Sequence, residues 1–221
     1  MVTIADLFDL EHTKAKEYLL QFTYPWEALQ DIGKMILCLG SGLGEDYRQV
    51  RPQVWVHETA VVAPTAFLGA PCIIGPETEV RHCAFIRENA LVGAGCVVGN
   101  SVELKNVILF DGVEVPHFNY VGDSILGYKA HMGAGSITSN VKGDKKNVVV
   151  RMGEEAVETG LWKLGAMLGD HAEIGCNAVL NPGTIVGRNA QVYPLSSVRG
   201  VVAANCIVKG ERGVFRKESE R

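Results

Sequence analysis

From Val56 onward an apolar residue returns at every sixth position. Val56, Val62, Leu68, Ile74, Val80, Ile86, Val92, Val98, Leu104 and Phe110 occupy the first place of ten consecutive hexads, and all ten are apolar. With 47% hydrophobic residues overall, ten hits in one fixed register arise by chance about once in 2,000 trials. The fifth place is mostly small: Ala60, Ala66, Cys72, Thr78, Ala84, Ala90 and Cys96. A period of six fits neither a helix nor an alternating strand. It predicts a solenoid in which three short strands make one triangular coil of about 18 residues. The first-place aliphatics then fill the axis, each contributing roughly 1.5–3 kcal/mol of burial.

The register falters after Phe110. Pro116 keeps the step, but Val121 and Leu126 follow five residues apart before Met132 and Thr138 restore sixes. From Asn140 to about Lys163 the repeat stops, and this polar, charged stretch is expected to be one long inserted loop. Leu168, Ile174, Leu180, Val186, Val192 and Val198 resume the pattern. The chain therefore divides into a non-repeating segment 1–53, a solenoid 54–209 with its insertion at about 140–163, and a charged tail 210–221 that is expected to be mobile.

Within the first segment, Thr3 and Asp6 have the spacing of a helix start, and helices are predicted over Ala15–Phe22 and Trp26–Leu39, the second entered through Pro25. Gly40-Ser41-Gly42-Leu43-Gly44 is read as a helix C-cap and turn, because no Lys-Ser or Lys-Thr follows to complete a phosphate loop.

Composition narrows the function classes. The formal net charge of -4 argues against nucleic acid or an anionic membrane as a partner. Six cysteines without a C-x-x-C pair disfavour a zinc ribbon, and Cys72 and Cys96 are read as small buried thiols. No basic, apolar leader opens the sequence and no apolar run approaches membrane length, so a reducing cytoplasm is the expected location.

Candidate chemistry gathers where the repeat breaks step. The stretch from His117 to Asn140 holds a base (His117), a phenol (Tyr120), a Gly133-Ala134-Gly135 turn and a polar exit at Ser139 and Asn140. Imidazole, with a reference pKa of about 6.5, accepts a proton at neutral pH. The turn's backbone N–H groups suit a developing oxyanion. Arg87 and Lys105 lie 18 residues apart, so regular stacking places both cations on one wall in adjacent coils. Lys142, Lys145 and Lys146 form a basic cluster in the insertion, suited to phosphates.

The hexads, with HFNYVGDSILG, GAGSITSN and LGDHAEIG, resemble the left-handed β-helix acyltransferases, and within them the acetyltransferase domain of bifunctional N-acetylglucosamine-1-phosphate uridyltransferases and their archaeal sugar-phosphate nucleotidyltransferase relatives. The likeness covers about 54–209, and Tyr24 to Leu29 is similar to the segment preceding the solenoid in such enzymes. It implies an all-β, left-handed parallel β-helix, a homotrimer with the site between subunits, and acetyl-CoA-dependent N-acetylation of an amino-sugar 1-phosphate, glucosamine 1-phosphate or galactosamine 1-phosphate, in nucleotide-sugar synthesis. No metal is expected. The family's large nucleotidyltransferase domain has no counterpart here, so uridylyl transfer is not expected.

Residue by residue, the likeness implies His117 as catalytic base, and Arg87, Lys105, Tyr120, Asn140 and Lys146 as acceptor ligands. Where the family commonly carries Asn, two residues before the turn's first Gly, this chain has His131, which the likeness implies as a further substrate ligand near the acceptor's sugar or the acyl group and which leaves the exact acceptor open. Ala134 and Cys176 match acetyl-CoA contacts. Two other readings stand beside this one. A scaffold or regulatory solenoid would retain the fold without chemistry. A zinc-dependent carbonic anhydrase of the gamma class needs an H-x4-H pair, and His117 has Gly122 at the matching place, with His131 a poor substitute.

Overall fold

The computed structural model describes residues 2–217. From Val54 the chain winds as a three-sided parallel β-solenoid of about 9 turns, as the hexads predict. Side-chain ladders run along each wall. On the first wall, Val56, Ile74, Val92, Leu109, Leu126, Leu168, Val186 and Val202 stack through the interior. On the second, Val62, Val80, Val98 and Val115 form the lower part of the ladder, and Met132, Ile174, Val192 and Val208 the upper. On the third, Leu68, Ile86, Leu104, Val121, Thr138, Leu180 and Val198 stack in the same way. The fifth-place residues Cys72 and Cys96 are buried, and burial pushes both thiols up to about 12.

The ladders relocate the first slip. Leu109, rather than Phe110, pairs with Val92, and Val115, rather than Pro116, pairs with Val98. The five-residue step therefore falls between Leu104 and Leu109, and it recurs between Val121 and Leu126. Its cause is local. The strands Phe85–Val92, Glu103–Leu109 and Tyr120–Leu126 run continuously around the corner between the third and first walls. They bend at Asn89, Asn106 and Asp123, whose φ values are 52, 55 and 49°. Short polar side chains tolerate this left-handed geometry best, and both five-residue steps cross such a corner, at Asn106 and Asp123. Phe110 is displaced from the interior ladder but remains buried, with its ring 5.1 Å from that of Phe8.

The first segment is a lid over the outside of the first wall. Thr3 and Asp6 form the capping box of the helix Ile4–Leu7. The predicted second helix shrinks to the single turn Lys16–Leu19, and the third divides into a 3-10 helix Pro25–Asp31 and an α-helix Ile32–Ser41. Leu19, Trp26, Leu29, Ile32 and Ile36 are buried, together with the outward-facing wall residues Leu91, Ile108 and Ile125. Gly40 lies inside the last helix rather than at its cap. A Cβ there would meet the Trp55 ring at 2.4 Å, so its role is to let the helix close onto the wall.

The insertion is not a free loop. Val149–Met152 and Glu155–Glu158 form an antiparallel hairpin, and Val148 and Val150 are fully buried against the solenoid. Val148 and Val150 lie two residues apart and so share one strand face, which docks, while Val149 between them is only half-buried. The tail also folds back as far as it is described: Val214–Arg216 pairs antiparallel with Cys206–Val208. At the other end, Tyr47–Arg51 pairs antiparallel with Val54–His57. Residues 218–221 of the expected mobile tail lie outside the described residues. No helix among the described residues is long and apolar enough to cross a membrane.

Candidate active site

Seven side chains meet on the outside of the third wall and its corner with the first. Outward-facing Phe67, Phe85, Glu103, Tyr120, Ile137 and Val179 form one ladder up this wall. Tyr120 folds over Gly122, and its hydroxyl accepts a hydrogen bond from the Asn140 side-chain amide at 3.1 Å. Asn140 Nδ2 also donates to Asp123 Oδ2 at 2.5 Å. Asp123, 4% exposed, accepts in addition from Lys105 Nζ at 3.2 Å and from Asn106 Nδ2 at 3.1 Å. Arg87 Nη1 bonds Glu103 Oε1 at 3.0 Å beside Tyr120. Burial, assisted by the Asp123 and Glu103 carboxylates, raises the Tyr120 pKa, so the phenol keeps its proton at neutral pH. The Glu103 hydrogen bond raises that of Arg87.

The register alters the predicted pairing of the two cations. A β-bulge falls between Ile86 and Glu88, so Lys105 pairs with Glu88 and Arg87 is the extra residue. Arg87 and Lys105 thus share the wall, but each faces its own carboxylate rather than the other.

His117 lies at the opposite edge of this wall, where the second wall turns into the third. It ends the strand Glu114–His117 and is exposed. Its side chain makes no hydrogen bond with the described residues. The corner beneath it is held by Asn119, which is 2% exposed. Asn119 Oδ1 accepts the His117 N–H at 3.1 Å, and its amide donates to the Gly133 and Ser136 carbonyls at 2.9 and 3.1 Å. Ala134 and Cys176 follow at the same corner in the next two coils, joined by Gly135 N–H to His117 O at 3.0 Å and Asn177 N–H to Ala134 O at 2.9 Å. The N–H groups of Ala134 and Cys176 themselves find no partner among the described residues, although each is a solvent-accessible position. Two unpaired donors therefore stand in line above His117.

Two predicted residues lie apart from the cluster. His131 faces outward on the second wall, across from Glu114, and its Nδ1 lies 2.9 Å from Glu173 Oε2. Lys146 is exposed on the loop before the hairpin, with its backbone N–H donating to Asp144. Asp123, Glu103 and Asn119 were not singled out in the sequence. The available signal was an interval of 17 among Asn89, Asn106 and Asp123, which share one corner. Among the described residues no group of three His, Cys, Asp or Glu is arranged to hold a metal ion.

A model of the GMPPB C-terminal domain matches residues 70–157. The bifunctional protein GlmU of Methanococcus maripaludis is 30% identical over 216 residues, covering 95% of this chain and 50% of that protein. The bifunctional sugar-1-phosphate nucleotidylyltransferase/acetyltransferase of Sulfurisphaera tokodaii is 35% identical over 91 residues, 41% of this chain and 23% of that one. This chain is homologous to the C-terminal acetyltransferase region of such bifunctional proteins. It spans half or less of the length of either. Among solved structures, the acetyltransferase domain of PglB from Neisseria gonorrhoeae aligns with a TM-score of 0.36 and 15% identity, covering 86% of this chain and 74% of that one.

Proposed function

We propose that this protein is an acetyl-CoA-dependent N-acetyltransferase whose acceptor is an amino-sugar 1-phosphate. The observation that carries the reading is the Tyr120–Asn140–Asp123–Lys105 network with Arg87 at its side, set on the same wall as the exposed, unpartnered His117. Arg87 and Lys105 offer cations to a phosphate, which would draw them from Glu103 and Asp123. Tyr120 and Asn140 offer a hydroxyl and an amide to the sugar. The unpaired N–H groups of Ala134 and Cys176 suit the amide and thioester carbonyls of acetyl-CoA laid along the corner.

In this reading the acceptor amine forms a C–N bond at the thioester carbon, the C–S bond breaks, and His117 takes the proton that the amine sheds and returns one to the departing thiolate. His131, held by Glu173 on the neighbouring wall, stands outside the acceptor cluster of its own chain. Phe67, Phe85, Phe118 and Leu195 expose 46, 43, 62 and 80% of their surface along this wall and corner. That apolar edge supports a homotrimer that closes the site between subunits.

A thiol-release assay with acetyl-CoA against glucosamine 1-phosphate and galactosamine 1-phosphate tests the reading. Turnover with one of them, reduced about 100-fold or more in His117→Ala, is expected. Undiminished turnover in His117→Ala removes it as the base, and no turnover with either acceptor removes the acceptor class.

A further inference from the structure

A second concave, basic surface lies above Asn140, between the inserted hairpin and the last coils. Two adjoining hollows, of about 400 and about 110 Å³, share Lys142, Pro182 and Arg199. The larger begins at Ser139 and Val141, the neighbours of Asn140. The smaller is lined by Arg151 from the hairpin and Gly183 and Gly200 from the coils. We propose that this groove is a binding site for a phosphate dianion carried on an organic ligand.

Charge and construction both point there. Lys142, Arg151 and Arg199 line the groove, and the single carboxylate beside them is Asp144, 3.3 Å from Lys142. Three cations less one carboxylate leave a net charge of +2, the complement of a phosphate monoester or a diphosphate bridge. Arg199 is aimed rather than loose. Its Nη2 donates to Asn181 Oδ1 at 3.1 Å, and Asn181 is itself tied to Ser197 Oγ and the Val198 carbonyl at 3.0 and 2.8 Å. Arg151 is exposed, makes no hydrogen bond or ion pair through its side chain with the described residues, and sits one residue after fully buried Val150. The hairpin comes so close that a Cβ on Gly200 would stand 3.1 Å from the Arg151 carbonyl. The two arginines are therefore presented from two packed elements across a fixed gap, which suits the forked donors of guanidinium to phosphate oxygens.

The site stands on this geometry alone and does not depend on acetyl transfer. Two organic phosphates carry the right chemistry, a sugar 1-phosphate and coenzyme A. Binding of inorganic pyrophosphate, coenzyme A, 3′-dephospho-coenzyme A and glucosamine 1-phosphate would be measured calorimetrically on the intact protein and on Arg151→Ala/Arg199→Ala. Both arginines are exposed, so the variant is expected to fold, which circular dichroism checks. Pyrophosphate is expected to bind the unmodified protein, more weakly as salt rises, and at least about ten-fold more weakly in the double variant. A matching loss for coenzyme A but not its dephospho form assigns the site to the 3′-phosphate. A matching loss for both forms assigns it to the diphosphate, and one for glucosamine 1-phosphate assigns it to the acceptor. Equal affinity of pyrophosphate for both proteins, or no binding to either, overturns the proposal. Catalysis by His117 is read in a separate assay, so the two ideas fail independently.

Discussion

Asp123 is the residue on which the Lys105–Tyr120–Asn140 cluster turns, and its removal gives the most exacting test of the geometry. Its carboxylate receives hydrogen bonds from Lys105, Asn106 and Asn140 while only 4% of the residue is exposed. Asp123→Ala leaves the Lys105 ammonium, 15% exposed, without its counter-charge. Removing one member of a buried pair costs about 3–5 kcal/mol, chiefly through the charge left behind. Alanine also pays about 1 kcal/mol for a backbone φ of 49°. Asp123→Asn tolerates that φ and keeps one acceptor, so a loss of about 1–3 kcal/mol is expected. Lys105→Met combined with Asp123→Asn should recover part of it, because the stranded charge is gone, with a coupling of about 1–3 kcal/mol. Urea unfolding followed by circular dichroism measures these differences. Because solenoid stability is a sum of local terms, amide exchange over residues 104–126 should be followed as well. A loss below about 0.5 kcal/mol for Asp123→Ala, the range of ordinary surface changes, would refute the account of a buried, charge-compensated hub.

Three further outcomes follow from the same contacts. Asn119→Ala removes two donated bonds to the 133–136 turn and should cost about 2–3 kcal/mol in the same unfolding experiment. Alkylation of the native protein should label Cys38, Cys83 and Cys176 and spare Cys72 and Cys96, whose thiols are buried with pKa values near 12, as peptide mass mapping would show. If acetyl-CoA lies along the His117 corner, it should protect Cys176 from alkylation while leaving Cys38 reactive. Phe67→Ser with Phe85→Ser should lower the oligomeric state measured by light scattering, since the two rings, 5.6 Å apart, form the exposed apolar edge.

The coil was legible because its periodicity is repeated many times over, and a repeated signal survives local exceptions. Where the exceptions fell was harder to read. Phe110 is as apolar as Leu109, so hydrophobicity alone could not say which of the two enters the ladder. The steps of five cross the corners at Asn106 and Asp123, where the strand continues unbroken through left-handed backbone. The Arg87 bulge is likewise a backbone event with no hydrophobic signature, and it separates cations that a constant period places together. The insertion looked like a loop because its charged residues outnumber the few valines that dock it. Lys105, Tyr120 and Asn140 were found in the sequence and meet in the structure. Asp123, which joins them, has in the sequence only the signature of a turn former.

The antiparallel strands at the two ends of the coil have a consequence for assembly. A parallel solenoid is a stack of identical rungs, so an open terminal rung is a template for the next molecule's first one. Here Tyr47–Arg51 occupies the edge of the first rung on one wall, and Val214–Arg216 occupies the edge of the last on another. Each runs against the direction of the coil, so the hydrogen-bonding rows they leave outward do not match a parallel continuation. One of the three walls is thereby closed to parallel continuation at each end, while Val61–Val62 and Phe67–Leu68 at the first coil and Ser197–Val198 and Val201–Val202 at the last pair on one side only. Removing either strand would open the remaining wall of that end.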